Sequence, residues 1–289
     1  MTDTMKPNEP LPATVEGSRA AAVHGLRARQ LFEATDCVAV EVPIALEYNG
    51  VSHAVMLASP RDLEDFAYGF SITEGIVDRR AQIRDIEVVH GTQGITLQVT
   101  IASECFVRLK DRRRSMTGRT GCGLCGTDSL AQAVRLPHVL PVGAVYASSA
   151  VVRAMASLRG QQGLLDATGA THAAAWCSAD GDIQLLREDV GRHNALDKVI
   201  GAIQRAGLPA ASGFMVVTSR ASYEMVHKTA VAGVPLLAAV SGVTALAIDV
   251  AQHAGIALLG FVRGEDLSVY AHGERLHFTS LAPITPEKP

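Results

Sequence analysis

Between Phe214 and Val262 the chain alternates short, unbroken apolar runs with segments of helix length. That alternation restricts the fold more than any other stretch. Phe214–Thr218, Val234–Val240 and Ile256–Val262 read as strands, with helices over Ala221–Val231 and Val243–His253. A strand that is apolar at every residue needs cover on both faces, and crossover helices between parallel strands supply it. The fold class expected is α/β, with a mainly parallel sheet. Thr229–Ile248 carries no charged residue and has the length of a membrane helix. Gly233, Pro235 and Ser241-Gly242 cut it into pieces, so a buried strand and helix explain it better.

Upstream the pattern changes. Val38–Tyr48 and Val51–Leu57 alternate around Asn49-Gly50, a strong hairpin turn. Ser59-Pro60 then reads as the start of a helix to about Thr73, and Ile86–Val89 with Ile95–Ile101 as a second hairpin. Hairpin, helix, hairpin is a small α+β unit resembling a β-grasp roll. Residues 1–34 are polar, proline-bearing or alanine-rich and are expected to be a disordered or loosely docked tail. The division expected is that tail, a β-rich unit over 35–140 and an α/β domain over 141–289.

Charge excludes one broad class. With 26 basic and 29 acidic residues, formally −3, the chain lacks a general nucleic-acid footprint. Five cysteines in 289 residues do not read as a secreted disulfide framework. Cys37, Cys105 and Cys177 sit in apolar surroundings and are expected to be buried. The N-terminus has no apolar core of a signal peptide. The expectation is a reducing, cytoplasmic setting without a membrane.

Cys122 and Cys125 are different. They lie in Gly121-Cys122-Gly123-Leu124-Cys125-Gly126, after the basic run Lys110, Arg112, Arg113, Arg114 and Arg119. A thiolate is the sulfur nucleophile, and neighbouring positive charge favours it. Glycines let another molecule approach the sulfurs, and Thr127-Asp128-Ser129 offers a cap for a helix through Val134. The C-x-x-C spacing alone admits zinc, dithiol redox and sulfur relay. A structural zinc needs four ligands, and no second C-x-x-C exists, so no structural metal is expected. Deaminase chemistry needs H-x-E upstream, whereas His272-Gly273-Glu274 lies far downstream.

In α/β sheets, ligands bind beyond the carboxyl ends of the strands. Here those ends carry Ser219-Arg220, Ser241-Gly242 with Thr244, and Arg263-Gly264. Hydroxyls and two arginines at equivalent points suit an anion or nucleotide, because arginine forks hold phosphate bidentately. Arg187-Glu188-Asp189-Val190-Gly191-Arg192-His193-Asn194 opens a helix to Arg205, with Asp189 a plausible cap and His193 a candidate acid–base group. His227 and Lys228 on the next helix are placed to reach the same cleft. Ser222 and Glu224 read as helix-start residues.

With these pieces assembled, the chain resembles the FdhD family, formate dehydrogenase accessory sulfurtransferases. The matching blocks are GCGLCG (121–126), REDVGRHNALDKVIG (187–201), SRASYEMVHKTAVAGVP (219–235), SGVTALAIDVAQ (241–252) and GFVR (260–263), with Tyr270 beyond. The resemblance implies a cytidine-deaminase-like C-terminal domain without the catalytic zinc set. It implies that sulfur from a cysteine desulfurase is received as a persulfide on Cys122 and Cys125. The sulfur passes to a molybdenum (or tungsten) bis-guanine-dinucleotide cofactor, carried as cargo for formate dehydrogenase. It also implies recognition of a GDP-like nucleotide. The residues this gives the cofactor are Arg220, Ser241, Phe261, Val262, Arg263, Gly264, Glu265 and Asp266, and a homodimer stays open. Two other classes stay open too: a cofactor chaperone that does not transfer sulfur, and a thiol-disulfide oxidoreductase.

Overall fold

A computed structural model of the chain describes residues 14–116 and 134–278. It opens with a hairpin, β1 (Ser18–Arg27) and β2 (Gln30–Ala39), paired from Ser18↔Ala39 to Arg27↔Gln30. This corrects the expected tail through residue 34. Ala28 and Arg29 both take positive φ, 49° and 66°, which closes a two-residue turn that matches strand twist. Composition hid it because alanine is a poor strand former and no glycine marks the turn.

The β-grasp expectation holds. β3 (Val42–Tyr48), β4 (Val51–Ala58), β5 (Ile83–Gly91) and β6 (Gly94–Ile101) form one sheet in the order β4-β3-β6-β5. Its central pair, β3 and β6, is parallel, and both outer pairs are antiparallel. α1 (Leu63–Thr73) packs Phe66 and Phe70 onto this sheet, and α2 (Ser103–Met116) follows β6. α1 starts later than the Ser59-Pro60 signal, with Asp62 as its N-cap residue. α2 takes in part of the basic run.

β7 (Tyr146–Ala147) leads into α3 (Ser148–Arg159) and the short α4 (Gly163–Thr168). The main sheet then forms from β8 (His172–Ser178), β9 (Ile183–Asp189), β10 (Gly213–Val217), β11 (Leu236–Ala239), β12 (Ala257–Arg263) and β13 (Asp266–Ala271). Their order is β13-β12-β11-β10-β8-β9. β10, β11 and β12 run parallel, and antiparallel strands flank them. α5 (Arg192–Ala206), α6 (Tyr223–Val231) and α7 (Ala245–Ala254) connect the strands. Met215, Val217, Leu237 and Leu258 face these three helices. Phe214, Val216, Leu236 and Leu259 face α3, alongside β7 and its partner β14 (Leu276–His277). Both faces are thus covered, as unbroken apolar strands require. α6, β11 and α7 divide the uncharged 229–248 stretch, and no described helix is long and apolar enough to cross a membrane. Cys37, Cys105 and Cys177 are buried and free.

The two units are welded along α1 and α5. A β-carbon on Gly69 would lie 1.7 Å from Asp197 O, and one on Gly201 would lie 1.8 Å from Asp65 O, so neither position admits a side chain. Ion pairs line the seam. Lys198 Nζ meets Asp189 Oδ2 at 2.6 Å with both side chains fully buried, and Ser59 joins through its N–H and carbonyl. Lys228 Nζ bonds Asp197, Glu74 and Thr73. Burial works against the Lys228 charge, but the two carboxylates overcome it and raise its pKa. Arg187 and Arg205 both grip Asp65.

Candidate functional site

Most of the dense polar block at 187–198 therefore serves architecture. Arg187, Asp189, Asn194, Asp197 and Lys198 all bond across the seam or to one another, and Glu188 accepts the Leu164 and Leu165 N–H groups of α4. Asp189 is no simple cap: Gly191 is the N-cap residue of α5. Lys228 is likewise corrected, since it is buried in the seam and does not reach a cleft.

Two members of the block face elsewhere. Arg192 and His193 begin α5 at the carboxyl ends of the parallel strands. His193 Nε2 lies 2.6 Å from Glu224 Oε2 on α6, so α5 and α6 are tied at their starts. The adjacent His193 imidazole holds the Glu224 carboxyl below the usual range, against the effect of burial. His172 at the start of β8 joins them because β8 runs antiparallel to β10. Burial first, then the charges of Arg192 and His193, press its pKa below the ordinary histidine value. Sequence reasoning missed His172, since it begins a strand instead of following one, and only the pairing brings it here. Arg192 Nε, Ser222 Oγ and, despite its 2.6 Å approach to Glu224, His193 Nε2 are buried without a well-formed hydrogen bond among the described residues. Such groups cost about 1–3 kcal/mol each when left unpaired.

Next to this cluster the strand-end loops interlock. Ala221 N donates to Gly242 O, Thr244 N to Ala221 O, and Phe261 N to Ser241 O. Arg220 is exposed, and Ser241 and Gly242 are partly so. Phe261 takes a positive φ of 52° and leaves its ring 45% exposed, against Gly242. Arg263 donates through Nε to Val240 O at 2.8 Å, with its guanidinium 5.9 Å from the Phe261 ring centre. Gly264 (φ 58°) and Glu265 turn the chain into Arg263↔Asp266, and all three residues after Arg263 are exposed. Val262 is 1% exposed and packs into the core, so its side chain is not part of this surface.

Cys122, Cys125 and the helix expected after them lie outside the described residues. The chain on their far side returns to the cleft. Arg135 N donates to Tyr223 Oη at 2.8 Å, and Tyr223 Oη donates back to Arg135 O at 3.1 Å. Tyr223 adjoins Glu224, and its ring packs on His227, whose pKa burial lowers. No group of metal-ligating side chains occurs among the described residues.

The described architecture is similar to a solved structure of a protein assigned as a formate dehydrogenase accessory protein from Desulfotalea psychrophila. The TM-score is 0.70 over 90% of this chain and 99% of that one, at 23% identity. In sequence the chain is 57% identical over 255 residues to the sulfur carrier protein FdhD of Variovorax paradoxus, covering 88% of this chain and 92% of the relative. It is 56% identical over 262 residues to the protein of that name in Cupriavidus necator, covering 90% and 91%. The profile of the FdhD/NarQ family matches residues 39–277, which takes in the grasp sheet, the seam and every strand-end loop. The chain belongs to the FdhD/NarQ family.

Proposed function

We propose that the chain is a sulfur carrier that delivers sulfur to a molybdenum bis-guanine-dinucleotide cofactor destined for formate dehydrogenase. Its relatives bear the name sulfur carrier protein FdhD. In loading, a thiolate of Cys122 or Cys125 attacks the outer sulfur of a persulfide on a cysteine desulfurase. The donor's S–S bond breaks, its cysteine leaves as thiolate, and a new persulfide forms on the carrier with no net oxidation. Positive neighbours in the 110–119 run favour the attacking thiolate. A soft metal centre suits the sulfur as its acceptor.

One observation carries the link between sulfur loop and cargo. Both hydrogen bonds between Arg135 and Tyr223 fix the chain leaving the cysteine segment beside Glu224, at the edge of the strand-end cleft. That cleft offers Arg220, Ser241 and the Phe261–Asp266 turn to the phosphates and guanine of the cargo, where parallel strands end. The cargo's nucleotide would be held there while its metal end meets the cysteines.

The test is intact mass after incubation with cysteine and a desulfurase, followed by cyanide release. Wild type should gain the mass of one sulfur atom and lose it to cyanide. Cys122→Ala should lose most of the gain, and the double variant with Cys125→Ala all of it. A wild type that never loads, or a double variant that still does, overturns the carrier reading. A chaperone or a disulfide oxidoreductase would give no cyanide-releasable sulfur.

A further inference from the structure

We propose that Arg192, His193 and Ser222 form an oxyanion subsite, separate from the Arg220–Arg263 rim, that takes a phosphate or diphosphate group. Two orphan donors carry it. Arg192 Nε and Ser222 Oγ are buried and unpartnered among the described residues, although they come from different elements. The His193–Glu224 contact at 2.6 Å draws the starts of those elements together, one residue from Arg192 and two from Ser222. Ser222 stands at the N-cap position of α6, yet its side chain makes no capping bond. Its hydroxyl is thus free to serve something other than its own helix.

An oxyanion answers what these groups lack. A guanidinium and a hydroxyl donate, and a phosphate offers several acceptor oxygens with the geometry a guanidinium prefers. The one carboxylate in the cluster, Glu224, lies 2.6 Å from His193 Nε2, a third buried polar atom without a well-formed hydrogen bond. The subsite goes beyond the nucleotide rim and does not depend on sulfur loading.

Calorimetric titration of the full chain with inorganic pyrophosphate, at fixed ionic strength, tests it. Wild type should bind. Arg192→Gln should weaken binding roughly tenfold or more and Ser222→Ala by a smaller factor, and Arg192→Gln should weaken it more than Arg263→Ala does. The imidazole proton resonances of His172 and His193 should shift on addition of pyrophosphate to wild type. Those shifts and the Ser222→Ala variant decide the matter even if Arg192→Gln does not fold. A wild type that binds no pyrophosphate overturns the subsite, as does wild-type affinity in both Arg192→Gln and Ser222→Ala. Equal loss in Arg263→Ala would place pyrophosphate on the rim and overturn it too. None of these outcomes touches persulfide loading, so the carrier reading stands or falls apart from it.

Discussion

Gly201 on α5 sits so close to Gly69 on α1 that a β-carbon at 201 would lie 2.9 Å from the Gly69 nitrogen. Backbone meets backbone there, with no side chain able to move aside. Alanine at an exposed helical glycine gains up to about 1 kcal/mol from propensity. Here the sign should reverse. Gly201→Ala and Gly69→Ala should each destabilise by about 3 kcal/mol or more, at or above the usual cost of overpacking. Urea unfolding of the purified variants measures it, and a neutral or stabilised variant would mean the helices can part freely.

The seam makes a second prediction through Asp189 and Lys198. Removing one partner of a buried pair leaves the other uncompensated, so Lys198→Ala should cost about 3–5 kcal/mol. Lys198→Met combined with Asp189→Asn should cost less than the sum of the two single changes, because no lone charge remains buried. A double-mutant cycle by denaturant titration gives the coupling. Additive costs would show that the two side chains contribute independently.

How much of this could be read from residues alone depends on what each signal reports. Unbroken apolar strands report burial on two faces, and Phe214–Val217 and Leu236–Ala239 have it. Asn49-Gly50 reports a turn, and the turn is there. A polar block reports only that polar groups are needed. Arg187, Asp189 and Lys198 look like chemistry in sequence, but their partners Asp65 and Ser59 lie more than a hundred residues upstream. Nothing local separates them from Arg192 and His193, which do face the cleft. The β1–β2 hairpin escaped because Ala28-Arg29 adopts positive φ without glycine.

A third prediction concerns pH. Burial holds His172 and His227 below the ordinary histidine value of 6.5 in the folded chain. Unfolded, both take up a proton near that value, so the unfolded state binds more protons in the window beneath it. Their contribution to stability is present above pH 6.5 and fades as pH falls towards their folded values. His172→Gln with His227→Gln should flatten the loss of urea stability between pH 7.5 and 5.5. An unchanged slope would show that these two histidines do not set it; carboxylates such as Glu74, whose pKa Lys228 lowers against burial, lose their contribution only at lower pH.

The last prediction tests the proposed nucleotide rim at Gly242, Phe261 and Arg263. Arg263 is anchored through Nε to Val240 O, which leaves the outer guanidinium nitrogens for a ligand. One charge-assisted hydrogen bond contributes about 1.5–3 kcal/mol, so Arg263→Ala should weaken GDP binding roughly tenfold or more. Arg220→Ala should act in the same direction. The Phe261 ring occupies space that a β-carbon on Gly242 would approach to 3.0 Å, so Gly242→Ala must displace the ring. If guanine stacks on that half-exposed ring, Gly242→Ala should also weaken GDP without altering affinity for pyrophosphate. Cys122→Ala should bind GDP as wild type does, because the cysteines serve the metal end of the cargo. Calorimetry on the four variants decides it. Unchanged GDP affinity in both arginine variants would move the nucleotide off this rim, and the basic run at 110–119 would be the next place to mutate.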